Sequence, residues 1–238
     1  MRQGVVPREG EVVLEVASRT DRGVSARGNA LEIQSSLGPS ALLRALNGIA
    51  PDLFFTAVTE VPKEFRVRHA LRRRYRYFDF FPGARGDRYR EAAERFAGEI
   101  DVRSFGRGLA SSTPVLRTVE AVNVVDAPDG LTIEVIAPSF VWGMVRKIVA
   151  ALREVDAGRL SLARLGNALR GRERLTLPLA EPEPLVLWDV EYALPWVHRW
   201  NGPNRHQVRW RQVAQQAVLE RGHVLRALGG MVAQSDAT

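Results

Sequence analysis

The chain predicts an α+β fold, and three observations carry that prediction. Strand-like and helix-like stretches are mixed without the strict alternation that a doubly wound parallel sheet requires. Residues 122–125 and 131–135, β-rich on both sides of Ala127-Pro128-Asp129-Gly130, read as a hairpin closed by a Pro-Asp-Gly turn. From Phe140 to Asp156 the apolar residues recur at helical spacing.

Taken in order, the apolar run Val12-Val13-Leu14-Glu15-Val16-Ala17 predicts a strand over 11–17, and a half-apolar run predicts a second over 29–34. Further strands are expected over 53–61, 74–81, 117–125, 131–137 and 185–192. Helices are expected from Pro39 or Ser40 (41–47) and over 88–96, 101–106, 140–156 and 161–169. On a 100° wheel the 140–156 helix gathers Phe140, Val141, Met144, Val145, Ile148, Val149, Leu152 and Val155 on one arc, the core face. Trp142, Gly143, Arg146, Lys147 and Arg153 lie on the other, and Ser139 is the expected N-cap. That second arc is either a solvated basic face or, near the helix start, a place that favours anions.

The 238 residues are 45% hydrophobic, enough for one large domain or two small ones with their own cores. Thirty-four Lys and Arg against 27 Asp and Glu leave a net charge of +7, which points to a polyanionic partner. With no amphipathic membrane helix evident, nucleic acid is favoured over lipid. The charge is concentrated between Lys63 and Arg76, where seven basic residues face one acid, Glu64. No cysteine is present, which excludes disulfides, thiolate zinc sites and cysteine nucleophiles and is compatible with a reducing cytoplasm. The four histidines are scattered, so no metal cluster is expected. No phosphate-loop or dinucleotide glycine pattern is found, so no cofactor is expected. Nothing approaches the roughly 18 uncharged apolar residues of a membrane span.

Two segments carry candidate chemistry. Ser18-Arg19-Thr20-Asp21-Arg22-Gly23-Val24-Ser25-Ala26 follows the first strand and offers Asp21 from the rim of a sheet, between two arginines that favour its charged form. Asp-x-Gly between strands is also an ordinary turn. Arg74-Tyr75-Arg76-Tyr77 alternates at strand period, with the tyrosines on one side and the arginines on the other. Such a pattern suits base stacking beside phosphate contacts, and equally a cross-strand aromatic pair in a half-buried sheet.

Taken together, these segments resemble the tRNA pseudouridine synthase A family from about Glu11 to Tyr192. Residues 18–26 are similar to its Arg-Thr-Asp-x-Gly-Val-x-Ala loop, which puts Asp21 on the catalytic aspartate and Arg19 on the adjacent arginine. Ala45-Leu46-Asn47-Gly48 with Pro51-Asp52 resembles its Leu-Asn-x-x-Leu-Pro-x-Asp stretch. Phe65 and Arg68 resemble the Phe-x-x-Arg before the tyrosine strand, and Tyr75 falls on the active-site tyrosine. Ser104-Phe105 resembles the Ser-Phe segment that follows a helix. Residues 140–149 resemble the Phe-x-x-x-Met-Val-Arg-x-Ile-Val helix and put Arg146 on the active-site arginine; 185–192 resembles the closing strand. Two departures stand out. The family's opening Tyr-Asp-Gly strand and following helix are not found ahead of Asp21, and a Trp/Arg/His-rich stretch with a helix over 208–228 follows Tyr192.

The resemblance implies the pseudouridine synthase fold, two ferredoxin-like lobes with antiparallel-rich sheets and a basic cleft between them. Residues 1–66 would form an N-terminal lobe with the catalytic loop, 67–193 a C-terminal lobe, and 194–238 an extension. It further implies isomerisation of uridine to pseudouridine at positions 38–40 of the tRNA anticodon arm, by a cytoplasmic homodimer that needs neither cofactor nor metal. Asp21, Tyr75 and Arg146 would be catalytic. Arg19, Arg22, Arg66, Arg68, Arg72, Arg73, Arg74, Arg76 and Lys147 would contact RNA. Two rival readings are a non-catalytic RNA-binding module on the same fold and a carboxylate-dependent phosphoesterase. The phosphoesterase would need an acid cluster for metal, and only Glu15 and Glu32 are available near Asp21.

Overall fold

The computed structural model describes residues 14–50, 53–79, 86–110, 112, 114–127 and 130–200. Its elements are β1 (Glu15–Val16), β2 (Ser25–Ala26), β3 (Leu31–Glu32), α1 (Pro39–Ile49), β4 (Ala57–Val58), β5 (Arg72–Asp79), α2 (Asp87–Glu94), β6 (Gly98–Asp101), β7 (Leu116–Val119), β8 (Ala121–Ala127), β9 (Gly130–Ala137), α3 (Met144–Asp156), α4 (Leu162–Leu169), β10 (Leu185–Glu191) and β11 (His198–Arg199). The beginning of the 11–17 strand, Pro51-Asp52, the Pro128-Asp129 turn, residues 80–81 of the tyrosine strand and the 208–228 helix lie outside the described residues.

The described chain forms two compact units. In one, within 34–63 and 194–200, α1 buries Leu42, Leu43 and Asn47, and β4 pairs antiparallel with β11. Pro39 opens α1, where its missing N–H costs nothing. Asn47 explains its own burial. Its amide donates to the Leu43 and Phe55 carbonyls and accepts from the Phe55 N–H, so it clamps the chain after α1 back onto the helix.

The other unit, within 14–33 and 64–193, holds the residues of Asp21's loop together with β5 and α3. Its centre is a five-stranded sheet in the order β2-β10-β5-β9-β8, antiparallel except where β2 joins β10. The alternation of β5 and β9 is strict. Arg73, Tyr75, Tyr77 and Asp79 face the core beside Leu131, Ile133, Val135 and Ala137. In β10 the register slips between Leu187 and Asp189, and the extra residue lets Leu185, Leu187 and Val190 all turn inward. Helix α3 packs Met144, Val145, Ile148, Val149, Leu152 and Val155 into this core, and α2 packs on α3 and β8.

Several expectations are corrected. The helix expected over 101–106 is absent: Asp101 ends β6, and residues 102–105 form turns. Helix α3 begins at Met144, four residues later than predicted. Gly143, not Ser139, precedes it, with a left-handed φ of 75°, a conformation that an L side chain resists. The 117–125 strand is two strands, because the pairing partner changes at Glu120 from β6 to β9. The basic face expected on α3 is not solvated. Arg153 donates to Asp79, Glu181 and the Tyr77 hydroxyl, and Lys147 donates to the Ser104 and Gly106 carbonyls. Among the described residues no helix is long and apolar enough to cross a membrane.

Asp79 is 1% exposed and is met by Arg153 at 2.9 Å and the Tyr89 hydroxyl at 2.9 Å. Removing the carboxylate takes from the core the acceptor that Arg153 and the Tyr89 hydroxyl share, while Arg153 keeps Glu181 and the Tyr77 hydroxyl. Asp79→Ala is therefore expected to cost about 1–3 kcal/mol of stability in urea unfolding. Asp79→Asn, which keeps a hydrogen-bonding group beside Tyr89, is expected to lose less.

Candidate active site

The loop of Asp21 is shaped by its backbone. Ala17 N–H donates to the Ala30 carbonyl and prolongs the β1–β3 pairing, and Val24 N–H donates to Asp21 O at 3.0 Å, closing a turn. Gly23 completes that turn at φ 91°; a Cβ there would lie 3.0 Å from Pro182 and Glu183 side-chain atoms. The ordinary-turn reading of Asp-x-Gly thus holds for the main chain. The carboxylate is not used in the turn. It projects into an open pocket of about 700 Å³ lined by residues of the loop, β5, and the segment leading into α3.

Inside that pocket both oxygens of Asp21 are held. Arg146 Nη1 donates to Oδ2 at 2.8 Å, and Trp142 Nε1 donates to Oδ1 at 2.7 Å. Arg146 is itself fixed by Nε donating to Ala180 O at 2.6 Å, and its main-chain oxygen accepts from Ala180 N–H. The ion pair is only partly wet, at 13% exposure for Arg146 and 25% for Asp21, so solvent screens it less than a surface pair.

Tyr75 lines the same pocket at 8% exposure, packed edge-on against Phe140 with ring centroids 5.0 Å apart. Burial raises its phenol above the ordinary value. A hydrogen bond with Ser18 and the charge of Arg73 oppose that rise, while the Asp21 carboxylate adds to it. The phenol is therefore neutral at physiological pH.

The structure brings Asp21, Tyr75 and Arg146 together around one opening, with Arg19 and Arg68 at its wall. Arg73 also reaches this wall, as a buried clamp and not as a surface cation. Its guanidinium donates to Ser18 Oγ and to the Ala17, Arg68 and Pro138 carbonyls. Strand parity explains this: Arg73 shares the face of Tyr75 and Tyr77. Arg74 and Arg76 lie on the opposite face, where both pair with Glu134 and Arg76 stacks on Trp188, while exposed Arg72 pairs with Glu120 and Glu191. Arg22 and Arg66 are exposed. Lys147 is spent on the two carbonyls named above, and burial, together with nearby Arg107, lowers its ammonium's pKa. Sequence reasoning passed over Trp142. Its place two residues after Phe140, on the arc of Arg146, was the available signal. Among the described residues no group of three or more His, Asp or Glu is placed to hold a metal ion.

Curated relatives carrying the name tRNA pseudouridine synthase A include one from Thermococcus sibiricus, 34% identical over 190 residues, which are 79% of this chain and 71% of the relative. One from Thermococcus kodakarensis is 39% identical over 178 residues, 74% and 66% of the two chains. One from Pyrococcus abyssi is 35% identical over 179 residues, 74% and 67%. The chain belongs to the tRNA pseudouridine synthase family. The family model of that description matches residues 92–193, the stretch that contains α3 and Arg146; Asp21 and Tyr75 lie outside it. The family is one of isomerases, and the antiparallel-rich α+β architecture agrees with the fold expected of it.

Behind Arg146, the strap at Ala180-Glu181 is anchored a second time. Arg153 and the Tyr77 hydroxyl hold the Glu181 carboxylate at 2.7 and 2.9 Å. Chiefly through the Arg153 hydrogen bond, the Glu181 pKa falls to about 2. A carboxyl depressed in the folded state lends stability above its unfolded value of about 4.3 and loses it as pH falls towards the folded one. Glu181→Gln is expected to flatten the fall in melting temperature between about pH 4.5 and 2. Unchanged acid sensitivity would show that the strap does not depend on this charge.

Proposed function

We propose that this protein isomerises uridine to pseudouridine in tRNA, at positions 38–40 of the anticodon arm, with Asp21 as the catalytic carboxylate. The observation that carries the reading is Asp21 itself: a carboxylate in an open pocket, gripped by Arg146 and faced by a buried phenol. The relatives' printed name supports tRNA as the substrate. Homodimerisation and a cytoplasmic location, both implied by the family resemblance, belong to the same proposal.

The reaction breaks the N1–C1′ glycosidic bond, turns the uracil within the pocket, and joins C5 to C1′. The proton leaving C5 is balanced by one gained at N1, so the change is redox-neutral and needs no electron carrier. Asp21 either attacks C1′ or removes the 2′ proton. Arg146 orients it in both cases, through a guanidinium anchored at Ala180. Tyr75 stacks on the uracil and offers its hydroxyl, shared with Ser18, to the proton transfer at C5. The target base must leave its stack at a cost of a few kcal/mol, and Arg19 and Arg68 on the pocket wall are placed to hold the backbone that comes with it.

Asp21→Asn is expected to retain tRNA binding and lose at least about 100-fold in pseudouridine formation, measured by nucleoside analysis of tRNA after incubation. Turnover near the native rate would remove Asp21 from the chemistry and favour the RNA-binding module. Arg146→Ala is expected to slow the reaction by roughly 100-fold, because the carboxylate loses its fixed direction. Arg146→Lys should recover little, since an ammonium cannot reach Asp21 and the Ala180 carbonyl with a planar fork.

A further inference from the structure

Trp142 is 55% exposed, yet it is held from three directions. Its indole N–H donates to Asp21 Oδ1, its carbonyl accepts from Arg107 N–H at 2.9 Å, and the Arg107 guanidinium lies 4.5 Å from its ring centroid. Gly108 lies beside the ring, where an added Cβ would make ordinary contact with its edge at 3.5 Å. Water around a bare indole is unfavourable, and a side chain exposed for no purpose would be free to lie down on its neighbours. Here one guanidinium backs the ring and the remaining surface is left open at the pocket wall. Trp188 differs: it is half-buried, with the guanidinium groups of both Arg27 and Arg76 over its ring.

A fixed aromatic plane with a cation beside it is the arrangement on which unpaired bases stack while their phosphates meet positive charge. Exposed Arg107 supplies that charge against the ring of Trp142, and exposed Arg19 lines the same pocket. We infer that Trp142 stacks on an unpaired RNA base next to the target uridine and, through its N–H, positions the Asp21 carboxylate once that base is seated. The inference rests on the isomerase reading above for the identity of the RNA. An apolar peptide or a lipid surface is disfavoured because the neighbours of Trp142 at the rim are arginines and a carboxylate.

The ring and the N–H are separable. Trp142→Phe keeps a plane and removes the donor; Trp142→Ala removes both. With a synthetic anticodon-arm RNA as the binding probe, Trp142→Ala is expected to weaken Kd by about 5- to 100-fold, the range of one lost base–aromatic stack. Trp142→Phe is expected to keep Kd within about 2- to 3-fold and to lower kcat on tRNA about 10-fold, the cost of a carboxylate held by one donor instead of two. A merely structural role would move melting temperature and not divide binding from turnover in this way. Wild-type affinity in Trp142→Ala overturns the inference, as does a Trp142→Phe variant with native kcat or with the affinity loss of the alanine variant. If Trp142→Ala fails to fold, Arg107→Ala takes its place, with weaker RNA binding expected and native affinity overturning the inference. The two readings fail separately. A wild-type protein that binds the RNA in a Trp142-dependent way and forms no pseudouridine sinks the isomerase reading alone. Pseudouridine formation with RNA affinity indifferent to residue 142 sinks the stacking one alone.

Discussion

The buried guanidinium of Arg73 organises the site. Its donors meet Ser18 and Ala17 ahead of Asp21's loop, Arg68 in the turn before β5, and Pro138 in the segment that leads to α3. These are three stretches of chain far apart in sequence, and most of the acceptors are main-chain carbonyls with no ladder partner of their own. A buried carbonyl left unpaired costs about 1–3 kcal/mol, so one planar fork of donors settles several debts that water would otherwise have to enter the core to meet. Tyr75 is two residues along the same strand face and shares Ser18 with Arg73. The position of the phenol, the root of the Asp21 loop and the entry to α3 therefore follow from a single side chain that touches no substrate in the proposed reaction.

Much of this unit is legible from periodicity, because its sheet is half-buried and its strands alternate accordingly. The hairpin of β8 and β9, the core arc of α3 and the outward course of Arg74 and Arg76 all follow from where apolar residues recur. The same rule, applied to Arg73, places it with Tyr75, although its basic neighbours suggest a surface cation. Lys147 is hidden for a related reason. A wheel tells which arc is not the core of the sheet, but it does not tell that carbonyls of a distant turn at Ser104 and Gly106 wait on that arc.

The start of α3 and the split at Glu120 were illegible for a different reason. Ser139 has the chemistry of a cap, and nothing local forbids a helix from Phe140. The tertiary structure asks instead for a left-handed Gly143, which turns Trp142 out of the helix so that its indole reaches Asp21. At Glu120 the chain leaves β6 for β9 without any break in β-propensity, and a change of partner writes no signal into composition. Short strands such as β2, two residues in parallel register with β10, are in the same position.

The two bonds to Asp21 are not equivalent, and the difference bears on the chemistry. The Arg146 bond is charged and half-buried, and its donor is pinned a second time at Ala180. The Trp142 bond has an uncharged donor, lies on the exposed side, and comes from a side chain tied to the rest of the fold by Arg107. Both bonds are charge-assisted through the carboxylate, but only the Arg146 bond adds the attraction of opposite charges, so it is the firmer of the two. On the proposed reading Oδ2 is the anchor and Oδ1 the oxygen presented to the sugar. Arg146 fixes the carboxylate through Oδ2, and the base that settles on Trp142 sets the direction of Oδ1 through the indole N–H.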